Sequence, residues 1–122
     1  MSISDFERIL SDIRRCADAA KDLAELQEFC VSRIAESLPH YNWIGFYMLD
    51  VSDPDVLVLG PFHGAPTEHV RIPVTQGICG AAVAQGKAII VEDVTSDPRY
   101  LACSLETKSE IVVPIRVDGQ IV

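Results

Sequence analysis

Apolar residues keep two different rhythms in this chain, and the change falls at a proline. Ile3, Phe6, Ile9, Leu10, Ile13 and Cys16 recur every three or four positions, which lays one apolar stripe along a helix. The spacing predicts a helix over 3–18, with Ser2 or Ser4 placed to cap it and Asp5 and Glu7 suited to its first turn. Leu23, Leu26, Phe29, Cys30, Ile34 and Leu38 repeat the pattern and predict a second helix from about Asp22 to Leu38, ended by Pro39. Both read as packing helices. After Tyr41 the period is lost and apolar residues come in short runs, so everything beyond the proline must be built mainly from strands.

Trp43 to Leu49 is aromatic and apolar, a strand buried on both sides or lining a pocket. Asp50 to Asp55 has the composition of a turn. Val56 to Gly60 is the next strand, broken by Pro61, and the two strands form a hairpin. Val70 to Val74 is a third strand whose Pro73 suits an edge or an end. Gly77 to Gln85 reads as a short helix of small residues, stopped by Gly86 in the left-handed conformation. Lys87 to Val91 is a fourth strand, 92–100 a loop with one helical turn after Pro98, and Ser109 to Val117 a fifth strand. Asp118-Gly119 is a hairpin turn, and a sixth strand has barely begun at Val122.

With 122 residues the chain is expected to form one domain. Its net charge of −8 argues against a nucleic-acid partner, since phosphate binding needs a basic face. No apolar run approaches the roughly 20 residues of a membrane span, and the acidic start lacks the basic and apolar regions of a signal peptide. A cytoplasmic protein is expected. In that setting Cys16, Cys30, Cys79 and Cys103 do not suggest a structural disulfide framework. None are in CxxC spacing and no Cys/His cluster has zinc-ligand spacing, so no metal is expected; the reading calls for no cofactor either. Cys16 and Cys30 fall within helical patterns as small buried hydrophobes. Cys79 lies between two glycines where a helix begins, facing unpaired N–H groups that favour thiolate. Cys103 lies on a loop.

The order helix, helix, strand hairpin, strand, short helix, strand, loop, strand hairpin is that of a GAF domain. Within it, Asn42-Trp43-Ile44-Gly45-Phe46-Tyr47, Leu57-Val58-Leu59-Gly60-Pro61-Phe62, Val70-Arg71-Ile72-Pro73-Val74, Gly77-Ile78-Cys79-Gly80 and Ser109-Glu110-Ile111-Val112-Val113-Pro114 resemble the free methionine-(R)-sulfoxide reductases, which are catalytic GAF proteins. The likeness runs from about Asn42 to the last residue. It implies an α+β fold for 1–122, an antiparallel sheet of about six strands with N-terminal helices packed on one face. The last strand is cut short, and a C-terminal strand and helix are expected to be lacking.

It also implies a chemistry. The family's nucleophile falls on Cys103 and a second redox cysteine on Cys79; the pocket's aromatic wall falls on Trp43 and Tyr47, and its acid on Glu110. A thiolate attacks the sulfoxide sulfur while an acid gives the oxygen a proton. The resulting sulfenic acid condenses with a thiol to a disulfide, which thioredoxin then reduces. Two departures stand out. His69 occupies the place of the usual resolving cysteine, and the chain stops before the Asp-x-Asp that the family carries on its sixth strand. A sensory GAF module that binds a small ligand without chemistry, and a thiol redox sensor using Cys79 and Cys103, remain alternatives. The stripe on the first helix suits either the core or a second copy of the chain, so a homodimer also stays open.

Overall fold

The computed structural model describes residues 2–100 and 107–122. The chain divides into two compact units, Met1–Phe46 with Gly60–Gly64, and Tyr47–Leu59 with Ala65–Val122.

The first unit holds both long helices. α1 (Ile3–Ala19) opens on a capping box: the Asp5 N–H donates to the Ser2 hydroxyl at 3.2 Å, and the Ser2 N–H donates to the Asp5 carboxylate at 3.1 Å. Two backbone donors that the helix leaves unpaired are thereby satisfied. α2 (Leu23–Ser37) opens on Asp22, which accepts the Glu25 N–H at 2.9 Å. It stops at Leu38, the residue before Pro39. The Arg33 guanidinium donates to Asp12 at 2.9 Å and ties α2 to α1. Arg33 first, and then Arg15, hold the Asp12 carboxyl below the usual carboxylate range. Core packing takes up little of the predicted stripe: Ile9 is the buried residue of α1, whereas Ile3 is 78% and Phe6 55% exposed.

Trp43 and Phe62 also belong to this unit, their rings stacked with centroids 5.6 Å apart and 14° between planes. Gly45 makes that possible. A Cβ there would lie 2.6 Å from the indole and 2.8 Å from the Phe62 side chain, so the indole can cross the strand only above a residue without one.

β1 (Ile44–Leu49), β2 (Val56–His63) and β3 (Arg71–Pro73) form a sheet in that order. β2 continues through Pro61, where the sequence predicts a break. β3 pairs with Val56, Leu57 and Val58, so Pro61 lies beyond the paired stretch, and its missing N–H costs that ladder nothing.

The second unit is organised around α3 (Gly77–Gln85), which ends at Gly86 with φ 65° as predicted. α3 packs on β3, β4 (Ile89–Val91) and β5 (Glu110–Val112). Ile78, Ala82, Ile89, Val91 and Val94 make its core, with Tyr100 and Val112 packed against them. Gly80 sets how close the helix comes: a Cβ there would stand 2.5 Å from the Val74 carbonyl oxygen.

The strand predicted over Ser109–Val117 is two strands, β5 and β6 (Arg116–Val117). Pro114 falls between them and has no N–H to continue a ladder. β6 pairs with β7 (Gln120–Ile121) across Asp118-Gly119, whose φ values of 52° and 81° are those of a tight hairpin turn. The Leu49 N–H donates to the Val122 carbonyl at 2.7 Å. A 3-10 turn forms over Val94–Ser96, where Asp93 accepts the Thr95 N–H at 3.0 Å and the Thr95 hydroxyl at 2.6 Å. The helical turn expected after Pro98 runs into residues outside the described ones. The α+β class and the antiparallel pairing are as expected. Among the described residues, seven short strands are grouped three, two and two.

Candidate active site

The pairing of β4 with β5 decides where Glu110 points. Ile89 lies opposite Val112, Ile90 opposite Ile111 and Val91 opposite Glu110. Directly opposed residues share a face, and the face alternates along a strand. Ile89 and Val91 are buried, and Ile90 and Ile111 are exposed. Glu110 therefore projects to the same side as Val91 and Val112, the side that packs beneath α3. A solvated charge would be the ordinary fate of a glutamate at a strand end; here the register puts it at the margin of an apolar face. Burial, and secondarily the negative charge of Asp97, push its carboxyl up to about 7.

Asp97 itself goes the opposite way. The Arg99 side chain donates to it twice, Nε to Oδ1 at 3.0 Å and a terminal nitrogen to Oδ2 at 2.8 Å, and the Arg99 backbone N–H adds a third bond at 2.9 Å. Those hydrogen bonds, the side-chain pair first, hold the carboxyl down at about 2. Asp97 lines an open depression with Val91, Asp93, Ser96 and Pro98. The sequence marks Asp97-Pro98 as a turn, which it is.

Cys79 occupies the first turn of α3 and is half-buried. No side chain caps that helix N-terminus. Tyr47, on β1, spends its hydroxyl on the chain: it donates to the His69 carbonyl at 2.6 Å. The His69 N–H in turn donates to the Thr67 hydroxyl at 3.1 Å. His69 is thus fixed through its main chain. Tyr47, Cys79 and Glu110 all belong to the second unit, and Trp43 to the first. Cys103 lies outside the described residues. Among the described residues, no helix is long and apolar enough to cross a membrane.

Residues 20–122 match the GAF domain family. The chain is 42% identical over 118 residues to protein YtsP of Bacillus subtilis, covering 97% of itself and 71% of that protein. It is 46% identical over 87 residues to the free methionine-R-sulfoxide reductase of Escherichia coli, covering 71% of itself and 50% of that enzyme. Its backbone superposes on the X-ray structure of free methionine-R-sulfoxide reductase from Neisseria meningitidis in complex with its substrate with a TM-score of 0.89, at 33% identity, covering 99% of this chain and 72% of that one. The chain thus spans about half the length of the Escherichia coli reductase and nearly three quarters of YtsP. It belongs to the GAF domain family, within the group of GAF proteins that includes the free methionine-R-sulfoxide reductases.

Proposed function

We propose that this chain carries the reducing site of a free methionine-(R)-sulfoxide reductase. One observation supports the reading most: Glu110 keeps its proton up to about 7, at the strand position where the reductases place their acid. A sulfoxide oxygen is a poor leaving group until protonated, so a carboxyl that is still a donor near neutrality suits the step. Cys103, as thiolate, attacks the sulfoxide sulfur and takes over its oxygen as the sulfur–oxygen bond breaks. The proton passes from Glu110 to that oxygen. Methionine leaves reduced, Cys103 is left as sulfenic acid, and Glu110 as carboxylate regains a proton from water. A second thiol then displaces water from the sulfenic acid and forms a disulfide. Cys79 or an outside thiol serves there, since His69 stands where the usual resolving cysteine would be. Thioredoxin in the cytoplasm reduces the disulfide.

Tyr47 supplies an aromatic wall. A ring face suits both the ammonium and the S-methyl group of a free amino acid. Tyr47 contributes its ring and not its hydroxyl proton, which is engaged at His69.

The test is turnover of the R isomer with thioredoxin, thioredoxin reductase and NADPH. Activity is expected with the R isomer, and Cys103→Ser should abolish it. Absence of turnover, or a rate indifferent to Cys103→Ser, removes the enzyme reading. Thiol-independent binding of methionine or its sulfoxides would then favour a sensory module.

A further inference from the structure

The seam between α1 and α2 holds two thiols that the chemistry above does not use. Cys16 and Cys30 are both free, both half-buried and both within the first unit. Ala20-Lys21-Asp22 joins the helices, and a connection that short turns two packed helices antiparallel. Their register is fixed by the bond from Arg33 Nε to Asp12 at 2.9 Å, made by side chains 19% and 23% exposed. Four residues on from Asp12, one turn toward the connection, stands Cys16; three residues back from Arg33, one turn toward it on α2, stands Cys30. Positions three and four apart share a helix face. The two cysteines therefore occupy the layer of the seam next to the Asp12–Arg33 bond. Burial on α1 follows the same row: Asp12, Ile13 and Cys16 are half-buried, whereas Arg14, Arg15 and Ala17 are exposed. Cys30 also feels its neighbour, since burial first, and the charge of Cys16 second, push its thiol up. Cα atoms lie about 2.3 Å from a helix axis and packed helices run about 8–10 Å apart. Opposed positions in such a seam reach the Cα separation of about 4.4–6.8 Å that a disulfide spans.

We propose that Cys16 and Cys30 form an oxidation site, closed by hydrogen peroxide to a disulfide that fastens α1 to α2. The inference is independent of the reductase reading above. Cys16, as thiolate, attacks a peroxide oxygen; the oxygen–oxygen bond breaks, and the departing hydroxide takes up a proton and leaves as water. The Cys30 sulfur then attacks the Cys16 sulfenic acid; the sulfur–sulfur bond forms, the sulfur–oxygen bond breaks, and a second water leaves with the proton that Cys30 gives up. Two thiols lose two electrons and two protons, and one hydrogen peroxide becomes two waters. Cys16 attacks first because a thiol kept protonated, as Cys30 is, makes a poor first nucleophile. The effect on the fold follows from how little else holds α1. Ile9 is its buried residue, and Ile3, Phe6 and Leu10 are exposed. A covalent tie across the seam removes local openings that this packing permits.

The test treats the protein with hydrogen peroxide and reads the product by non-reducing peptide mapping and by amide hydrogen exchange. A linked Cys16–Cys30 peptide is expected, two hydrogens lighter than its parts, in the wild-type protein and again when Cys79→Ser and Cys103→Ser are combined. Exchange of the α1 amides should slow several-fold on oxidation and recover with dithiothreitol. In Cys16→Ser and in Cys30→Ser, peroxide should leave that exchange unchanged. Sulfinic acid at either position without a link, or a link to Cys79 or Cys103 instead, overturns the site. A link that forms in urea but not in the folded protein overturns it too, because the register is then not what brings the sulfurs together. A link that leaves α1 exchange as it was overturns the fastening. The wild-type map decides the site by itself, so a serine variant that fails to fold does not protect the proposal.

Discussion

α1 and α3 bury themselves by opposite means. α1 runs for 17 residues, opens on a capping box and leaves Ile3, Phe6 and Leu10 of its apolar stripe exposed, with Ile9 buried. α3 runs for 9 residues, has no side-chain cap and no charge, yet buries Ile78, Gly80 and Ala82. A helix as short as α3 is not stable alone; it exists because the strands beneath it take up its small residues. The candidate site is carried on that second kind of structure. Cys79 and Glu110 hold their places through packing, so the chemistry is sensitive to the core in a way that α1 is not.

Five substitutions test this contrast. Ile78→Ala empties a side chain that is 2% exposed and should cost about 3–4 kcal/mol in urea unfolding. Ile3→Ala on α1 should stay within about 0.5 kcal/mol. Equal losses at the two sites would erase the distinction. Gly80→Ala comes next. In an exposed helix the change would stabilise by up to about 1 kcal/mol, but a Cβ 2.5 Å from the Val74 carbonyl should reverse the sign, to a loss of about 2 kcal/mol.

Glu110→Gln separates activity from stability. The folded chain holds this proton to about 7, against an ordinary 4.5. The fold therefore carries its full share of stability from Glu110 below about pH 4.5 and loses it as pH rises through 7. At pH 8 the glutamine variant should be the more stable by about 1–2 kcal/mol, discounted for partial exposure, and at pH 4 the two should coincide. Turnover should fall at both. A variant that is no more stable at pH 8 would mean the carboxyl is solvated. The smallest effect belongs to Ser2→Ala, about 0.5–1 kcal/mol, which should leave turnover unchanged because α1 carries none of the chemistry.

Local signals made much of the fold legible. The three- and four-residue spacing gave α1 and α2, Ser2 or Ser4 the start of the first, and Gly86 the end of α3. What stayed hidden depends on contacts between distant residues. Pro61 breaks a strand by rule, and only the short reach of β3 shows why β2 runs on. Val112 and Arg116 read as one strand until Pro114 is seen to interrupt the ladder. Glu110 was legible as a site candidate through its motif, but its charge state depends on Val91, whose register no local pattern gives.

The bond from the Tyr47 hydroxyl ends on the main-chain carbonyl of residue 69 and leaves the imidazole outside the agreement. Whatever side chain stands there, the loop follows the same path. The side chain at that point can be exchanged with no alteration to the bond that holds the loop.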